Sequence, residues 1–461
     1  MSSGSLPLIT YHRAQSLGSG TYGSVVTVYD DDGNEFALKL FMEDDEEEKE
    51  PDISLGALRE ISILRLLRGE NAHPNIIQIH DVQTDFVEEE GGAGTDGYLG
   101  LAMPLFPEGA LSEALIKIRT KHQKLGIAHG ILSAVAYLHE NSIIHRDIKG
   151  DNILLEDAGD GMYRPILIDF SLAKIMDPRI IYGKNAHGLD AEETEATHTG
   201  SIGTPTYRAP EVVDRQPYGL PSDLWSVGVI LLEVLQGKPL EANKDNGAIR
   251  LVCEGVEALP KDQPFPNLIR GLLQNDPEKR WTARQALDSE VFHKFGFATD
   301  QKTFRILNVN EALPFDSEED DEESSENNAA GANSKKQNNN KDKQGKKRVD
   351  KTLLKRYQHI RKVCSSMNWN NPMTAQAALT YSVQMSQLEE VDDMRESQAL
   401  LDCVVLAHKF FEKDVCYLQE LEVGEGGPVF KNWIFEQYID NEGTLLMMLD
   451  FCLYPREWMD M

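Results

Sequence analysis

The stretch from Asp316 to about Asp350 limits the fold before anything else does. It runs acidic (DSEEDDEESSE), then Asn-rich, then basic (KDKQGKKRVDK), with almost no large apolar residue. Such a composition cannot bury enough apolar surface to offset the entropy of ordering it, so it reads as a disordered linker that divides the chain into a segment of about 300 residues and a C-terminal one of about 110. The 461 residues carry 76 Asp and Glu against 46 Lys and Arg, a formal charge of -30, which disfavours nucleic acid as a partner. No apolar run approaches the roughly 20 residues that cross a bilayer, so no membrane partner is expected. The opening MSSGSLPLIT lacks the charged and apolar regions of a secretory leader. Nucleus, cytoplasm or both is the expected location. Five cysteines (Cys253, Cys364, Cys403, Cys416, Cys452) lie scattered without CxxC spacing, which indicates neither a zinc site nor a disulfide framework.

In the first part, SVVTVYD, DDGN and EFALKL read as two strands joined by an Asp-Gly turn. After Leu111 the apolar spacing becomes helical, as in ILSAVAYLH and WSVGVILLEVL, so a β-rich lobe precedes an α-rich one. GSGTYGSV (18–25) lies between strands, where its glycines let backbone amides approach a polyphosphate. One hairpin on, Lys39 can neutralise phosphate charge, and Glu60, in the amphipathic stretch SLGALREISILRLLR, can orient that amine. HRDIKGDN (145–152) offers Asp147 to accept a hydroxyl proton, Lys149 to stabilise a transferring phosphoryl group and Asn152 as a metal ligand. Asp169, at the end of the apolar run ILID, can hold Mg²⁺.

This ordered set resembles the protein kinase family from about Leu8 to Phe297. The resemblance implies an α+β bilobal fold, with a β-rich N-lobe over 8–106 and an α-rich C-lobe over 107–297, after a short tail at 1–7. It also implies ATP and Mg²⁺ as cofactors. Leu17, Gly18, Ser19, Gly20, Thr21, Tyr22, Gly23, Val25, Ala37 and Lys39 would line the nucleotide, with Met103 as gatekeeper and Leu105 and Phe106 supplying hinge backbone bonds to adenine. YRAPE (207–211) stands where the family has APE, and Glu211 is expected to pair with Arg280. Asp223, in SDLWSVG, is expected to anchor the backbone of the catalytic loop.

Within the family the nearest resemblance is to cyclin-dependent kinases. LGALREIS falls where that group has its PSTAIRE-type helix. Arg208 and Gly203 match residues of proline-directed enzymes, which implies protein substrates with Ser/Thr-Pro sites. Thr21 and Tyr22 occupy inhibitory phosphorylation positions, and Thr199 aligns with the activating phosphothreonine, opposite Arg59, Arg146 and Lys174. Upstream activating and inhibitory kinases are thus expected partners, with Thr197 a competing choice to Thr199. There are departures from the pattern. DFG reads DFS (Asp169, Phe170, Ser171), KGDN replaces KPQN, and an insertion follows Asp169.

Past a linker spanning 298–350, residues 351–461 show helical apolar spacing and read as a small all-α domain. LLDCVVLAHKFFEKDVCYLQEL and NEGTLLMMLDFCLYP resemble the third and fifth helices of a cyclin box. That resemblance implies a five-helix cyclin-like domain in which Lys409 and Glu442 grip the kinase. The linker, about 50 residues long, spans roughly 35–45 Å, and tethering gives an effective concentration on the order of mM. Engagement in cis, or in trans within a dimer, are both open. The sequence therefore reads as a Ser/Thr protein kinase of the cyclin-dependent type, in cell-cycle or transcription control, fused to its own cyclin-like activator. Two alternatives stand beside it: an active kinase with an unrelated helical interaction module, and a pseudokinase scaffold signalled by DFS.

Overall fold

The computed structural model describes residues 11–20, 23–41, 55–86, 98–175, 205–216, 218–240 and 245–297, with short helical pieces at 360, 362–363, 377–378, 381–382 and 401–407. A five-stranded antiparallel sheet opens the chain: β1 (His12–Gly20), β2 (Gly23–Tyr29), β3 (Glu35–Phe41), β4 (Asp81–Phe86) and β5 (Tyr98–Pro104), in the order β1-β2-β3-β5-β4. Period-two alternation explains its layering. Val26, Val28, Leu38 and Leu40 turn to one face and bury with Tyr11 and Ala102 in a small core of their own. The DDGN turn closes the β2–β3 hairpin through Asp30, whose carboxylate accepts from the backbone N–H groups of Asp32 and Asn34 and from the Asn34 side chain. Gly33 takes φ +82 there, which a side chain would resist.

Between β3 and β4 lies α1 (Leu55–Leu66). The C-terminal lobe follows with α2 (Leu111–Ala114), α3 (Lys121–Glu140), β6 (Ile143–Ile144), β7 (Ile153–Gly159), β8 (Met162–Leu167), β9 (Lys174–Ile175), α4 (Pro210–Val213), α5 (Pro221–Gln236), α6 (Asp245–Glu257), α7 (Pro264–Leu272), α8 (Ala283–Leu287) and α9 (Glu290–Lys294). Thr120 and Gln123 form a capping box that starts α3. Pro221 begins α5, and Gly237, left-handed at φ +73, ends it. α3 and α5 bury nearly every apolar side chain they carry, which makes them the axis of the lobe. The short ribbons β6–β9 and β7–β8 pack above them and carry the loops that bear the polar motifs.

The structure corrects one expectation about α1. An amphipathic helix should leave one stripe in water, yet Ala57, Leu58, Glu60, Ile61, Ser62, Ile63, Leu64 and Leu66 are all buried, which covers every side of the helix. Of the helical pieces after the linker, Ile360, Val363, Ala377, Ala378, Tyr381 and Cys403 to Ala407 are buried in one contiguous core with α1 and the C-terminal lobe, while Lys362 is exposed. The remainder of the five-helix expectation for 351–461 lies outside the described residues. Among the described residues no helix is long and apolar enough to cross a membrane.

Candidate active site

Register across the sheet sets the first half of the site. Val25 pairs with Lys39 and Lys39 with Leu101, while Ala37 pairs with Met103. Directly opposed residues share a face, so Val25, Ala37, Lys39 and Met103 line one side of the sheet. From there Lys39 Nζ donates to Glu60 Oε2 at 2.7 Å and to Asp169 Oδ1 at 3.0 Å, joining β3, α1 and the segment after β8. Burial pulls the lysine pKa down, but Glu60 and Asp169 outweigh it and raise it, so the amine is a fixed cation. Glu60 is itself raised by burial, against the pull of Lys39. Burial likewise pushes Asp169 up, but Lys39 and the Ser171 hydroxyl, which donates to Oδ1 at 2.8 Å, hold it below the ordinary carboxylate range. Both donors fall on Oδ1, and among the described residues none donates to Oδ2.

The second half is the loop between β6 and β7. Arg146 at φ +68 and Asp169 at φ +63 are left-handed without being glycine, a strained geometry that needs outside support. For the loop that support comes from Asp223 on α5, whose carboxylate accepts from the backbone N–H groups of His145 and Arg146, both at 2.9 Å. Its Oδ2 also lies 3.0 Å from His139 Nε2. Burial would raise Asp223, but His139 and the loop amides lower it. Within the loop, Lys149 Nζ donates to Asp147 Oδ2 at 2.8 Å and Asn152 Nδ2 donates to the same oxygen at 2.9 Å. Asp147 is thus oriented through one oxygen, as Asp169 is, and among the described residues Oδ1 is left to accept a proton. The backbone N–H of Ile168 donates to the Asn152 carbonyl, which ties the loop to the segment carrying Asp169.

The protein kinase domain model matches residues 11–292, more than half of the chain. The chain belongs to the protein kinase family. It is 32% identical to the serine/threonine-protein kinase GIN4 of Saccharomyces cerevisiae over 262 residues, covering 54% of this chain and 20% of the other. It is also 32% identical to a calcium/calmodulin-dependent protein kinase type II of Caenorhabditis elegans over 292 residues, 60% of this chain and 35% of the other. The chain spans about half, or less, of the length of the relatives it matches. Neither named relative is a cyclin-dependent kinase, and the family match ends before the segment that resembles a cyclin box.

Protein kinases use ATP and Mg²⁺, and the donor set fits both. Asp169 Oδ2 and the Asn152 amide oxygen are hard oxygen ligands of the kind Mg²⁺ takes, with phosphates and water completing its shell. Two carboxylates, Glu60 and Asp169, face the single ammonium of Lys39, so the cluster carries excess negative charge that a cation would balance. Of the other nucleotide-lining residues, Leu17 is half-exposed at a bulge of β1. Gly18, Ser19 and Gly20 end β1, and Gly23 begins β2. Leu105 and Phe106 directly follow β5, where the sheet leads into the C-terminal lobe. Thr21, Tyr22, Thr199, Gly203, Lys409 and Glu442 lie outside the described residues. Of the basic trio expected around Thr199, Arg59 sits on α1, Arg146 donates from Nε to the Leu172 carbonyl, and Lys174 pairs with Ile144 in the β6–β9 ribbon.

Two pairs support the site from below. Arg280 and Glu211 form the expected fork, Nη1 to Oε1 at 2.6 Å and Nη2 to Oε2 at 2.9 Å. Tyr207 donates its hydroxyl to Glu233, which also accepts from the Leu240 N–H, a contact that sequence reading missed. Burial pushes Glu233 up to about 7. Tyr207 and Glu233 stand 26 residues apart on different elements, so no local pattern marks them. The contact of Ser171 with Asp169 was missed too, although the serine in DFS was the visible signal.

Proposed function

We propose that this kinase transfers the γ-phosphoryl group of ATP to serine or threonine hydroxyls of proteins. The observation that carries this is Lys39 bonded at once to Glu60 and Asp169, the arrangement that places a fixed cation at the phosphates. As the substrate oxygen attacks the γ-phosphorus, its proton passes to Asp147 Oδ1. The bond from the γ-phosphorus to the bridging oxygen breaks, and ADP leaves. Lys149 neutralises charge on the phosphoryl group in flight. Bound Mg²⁺ supplies charge neutralisation at the phosphates, with Asn152 and Asp169 as its protein ligands. The glycines of 18–23 let backbone amides close over the phosphates, and Ala37, Val25 and Met103 line the base. The intact geometry of Lys39, Asp147, Asn152 and Asp169 favours an active enzyme over a scaffold.

The finer reading is a cyclin-dependent type of enzyme acting on Ser/Thr-Pro sites, with residues 351–461 as its activator. Its support is the sequence words YRAPE, LGALREIS and LLDCVVLAHKFF, together with Arg208, which is buried beside Asp147 and Tyr207 in a small cavity. The relatives' names speak for serine and threonine but point to other regulators. Phosphate transfer to peptides that differ only in the residue after serine tests both levels. Transfer to neither peptide overturns the enzyme. Equal transfer to Ser-Pro and Ser-Ala peptides overturns proline direction alone.

A further inference from the structure

Acidic side chains number 76 in 461 residues, yet residues 114–139 and 291–297 contain none. The two stretches meet on the surface where α3 starts and α9 ends. Lys121 Nζ lies 4.3 Å from the centroid of the Phe295 ring, and the His122 ring stacks on Phe297. Lys117, Arg119, Lys121 and Lys294 are exposed there. Among the described residues, Lys117 alone of these four meets a carboxylate, Glu108 at 3.6 Å. Beside them Ile116 is 71% exposed, one of three large apolar side chains left in water among the described residues. The result is an island of positive charge around an aliphatic group, on a chain whose net charge is -30. An acidic partner is repelled by the chain as a whole and attracted at this island, within a screening length of roughly 10 Å at 0.1 M salt.

The island adjoins the catalytic loop. Ser112, on α2, donates its hydroxyl to Asp151, the neighbour of Asn152. Four residues on, Ile116 lies about 6–8 Å further along the helical turns. On the other flank Gln123 donates to the Gly161 carbonyl, which brings the β7–β8 turn and its Asp160 to the edge. An acidic chain is therefore led from Ile116 over Lys121 to Lys294, away from that turn. We propose that this island is a docking surface for an acidic stretch of the protein substrate, with an aliphatic side chain of that stretch seated on Ile116. It rests on the enzyme reading above and adds the chemistry of the segment that substrates carry outside the acceptor site. At about 3.3 Å per extended residue, the stretch starts about five to ten residues from the acceptor hydroxyl.

The test uses the full-length protein and two fluorescently labelled peptides with the same acceptor serine. Each carries a tail about eight residues away, with one leucine among several Glu or among as many Gln. Anisotropy reads binding, and phosphate transfer reads KM and kcat. An exposed ion pair is worth up to about fivefold in affinity, so the Glu tail should bind about tenfold tighter and lower KM by the same factor, with kcat unchanged. The advantage should vanish near 1 M salt, where the screening length is roughly 3 Å. Lys121→Glu and Lys294→Glu should each cut it by about threefold or more, and Ile116→Ser should weaken both tails by about threefold. Lys261→Glu, an exposed lysine on the turn before α7, should change nothing. Equal binding of the two tails, or a preference that survives both charge reversals, overturns the surface. A preference that emerges only when the eight carboxylates of 316–326 become amides gives the surface to the chain's own acidic run and overturns the substrate as occupant. If the wild-type protein transfers phosphate to neither peptide, the enzyme reading fails while anisotropy still decides the docking surface.

Discussion

The fork between Arg280 and Glu211 and the bridge from Lys39 to Glu60 and Asp169 are both buried, but they are built differently. Arg280 is satisfied within one lobe, by Glu211, by the carbonyls of Pro221 and Gln274, and by the face of Trp225. Lys39 instead joins three elements that the chain reaches far apart, β3, α1 and the segment after β8. The first is a structural anchor that needs no ligand. The second leaves one oxygen of Asp169 uncommitted and carries excess negative charge, so it is complete only with its substrate and metal. The fold thus keeps a self-sufficient anchor in its lower lobe apart from a cluster that its ligands complete.

That contrast breaks most sharply at Asp147. Asp147→Asn keeps the bonding partners of the loop in place but removes the proton acceptor, so kcat should fall by about 10³-fold or more with little change in ATP affinity. A single-turnover assay beside a nucleotide-binding titration separates the two effects. An unchanged kcat would move the base elsewhere. Arg280→Ala probes the other side of the comparison. It strands the Glu211 carboxylate in a buried site, and loss of a partner there costs about 3–5 kcal/mol. Urea denaturation should show that loss, and any protein that stays folded should keep its ATP affinity.

Much of this was legible in the sequence, for a physical reason. Lys39, Asp147, Asn152 and Asp169 sit in short words whose chemistry depends on residue type, and the Asp-Gly turn and strand alternation place those words on the sheet or in loops. The Glu211–Arg280 fork and the grip of Asp223 on His145 and Arg146 were also readable, because each belongs to a recognisable word. What could not be read is what arises only when distant surfaces meet. The apolar pattern of α1 suggested one wet side, and only tertiary packing shows that none exists. The subgroup was less legible still, since YRAPE and LGALREIS suggested cyclin-dependent kinases while the relatives reported above carry other names.

Glu233 sharpens the comparison through pH. It lies on α5, and among the described residues its hydrogen-bond partners are Tyr207 and the Leu240 N–H, with no basic side chain beside them. Its folded pKa is raised, to about 7, from an ordinary 4.5. Between those values Glu233 holds its proton in the folded state and loses it in the unfolded state, so its contribution to stability is fully present below about 4.5 and is lost as pH rises toward 7. The shift corresponds to about 3 kcal/mol. Glu233→Gln should remove that slope, so the difference in melting temperature between wild type and variant should change sign or narrow from pH 5 to pH 8. Parallel curves for the two proteins would show that Glu233 is already ionised in the fold.

The smallest expected effect is at Ser171, where the two kinds of contact meet. Its hydroxyl donates to Asp169 Oδ1 at 2.8 Å, beside Lys39 at 3.0 Å, so it orients the carboxylate as an anchor would while sitting inside the cleft. Asp169 is held at φ +63, a conformation that its own backbone disfavours. Removing one of two donors should loosen that carboxylate without abolishing it, because Lys39 remains. In Ser171→Ala the Mg²⁺ concentration for half-maximal turnover should rise about three- to tenfold, in line with a lost hydrogen bond to a charged group that is partly compensated. kcat at saturating Mg²⁺ should hold. Ser171→Thr should restore the wild-type requirement, and Ser171→Gly should raise it at least as far as alanine while quickening hydrogen exchange across Ile168–Ala173 in the metal-free protein. If alanine and glycine both leave the Mg²⁺ requirement and the exchange unchanged, the serine orients nothing, and Lys39 alone positions Asp169.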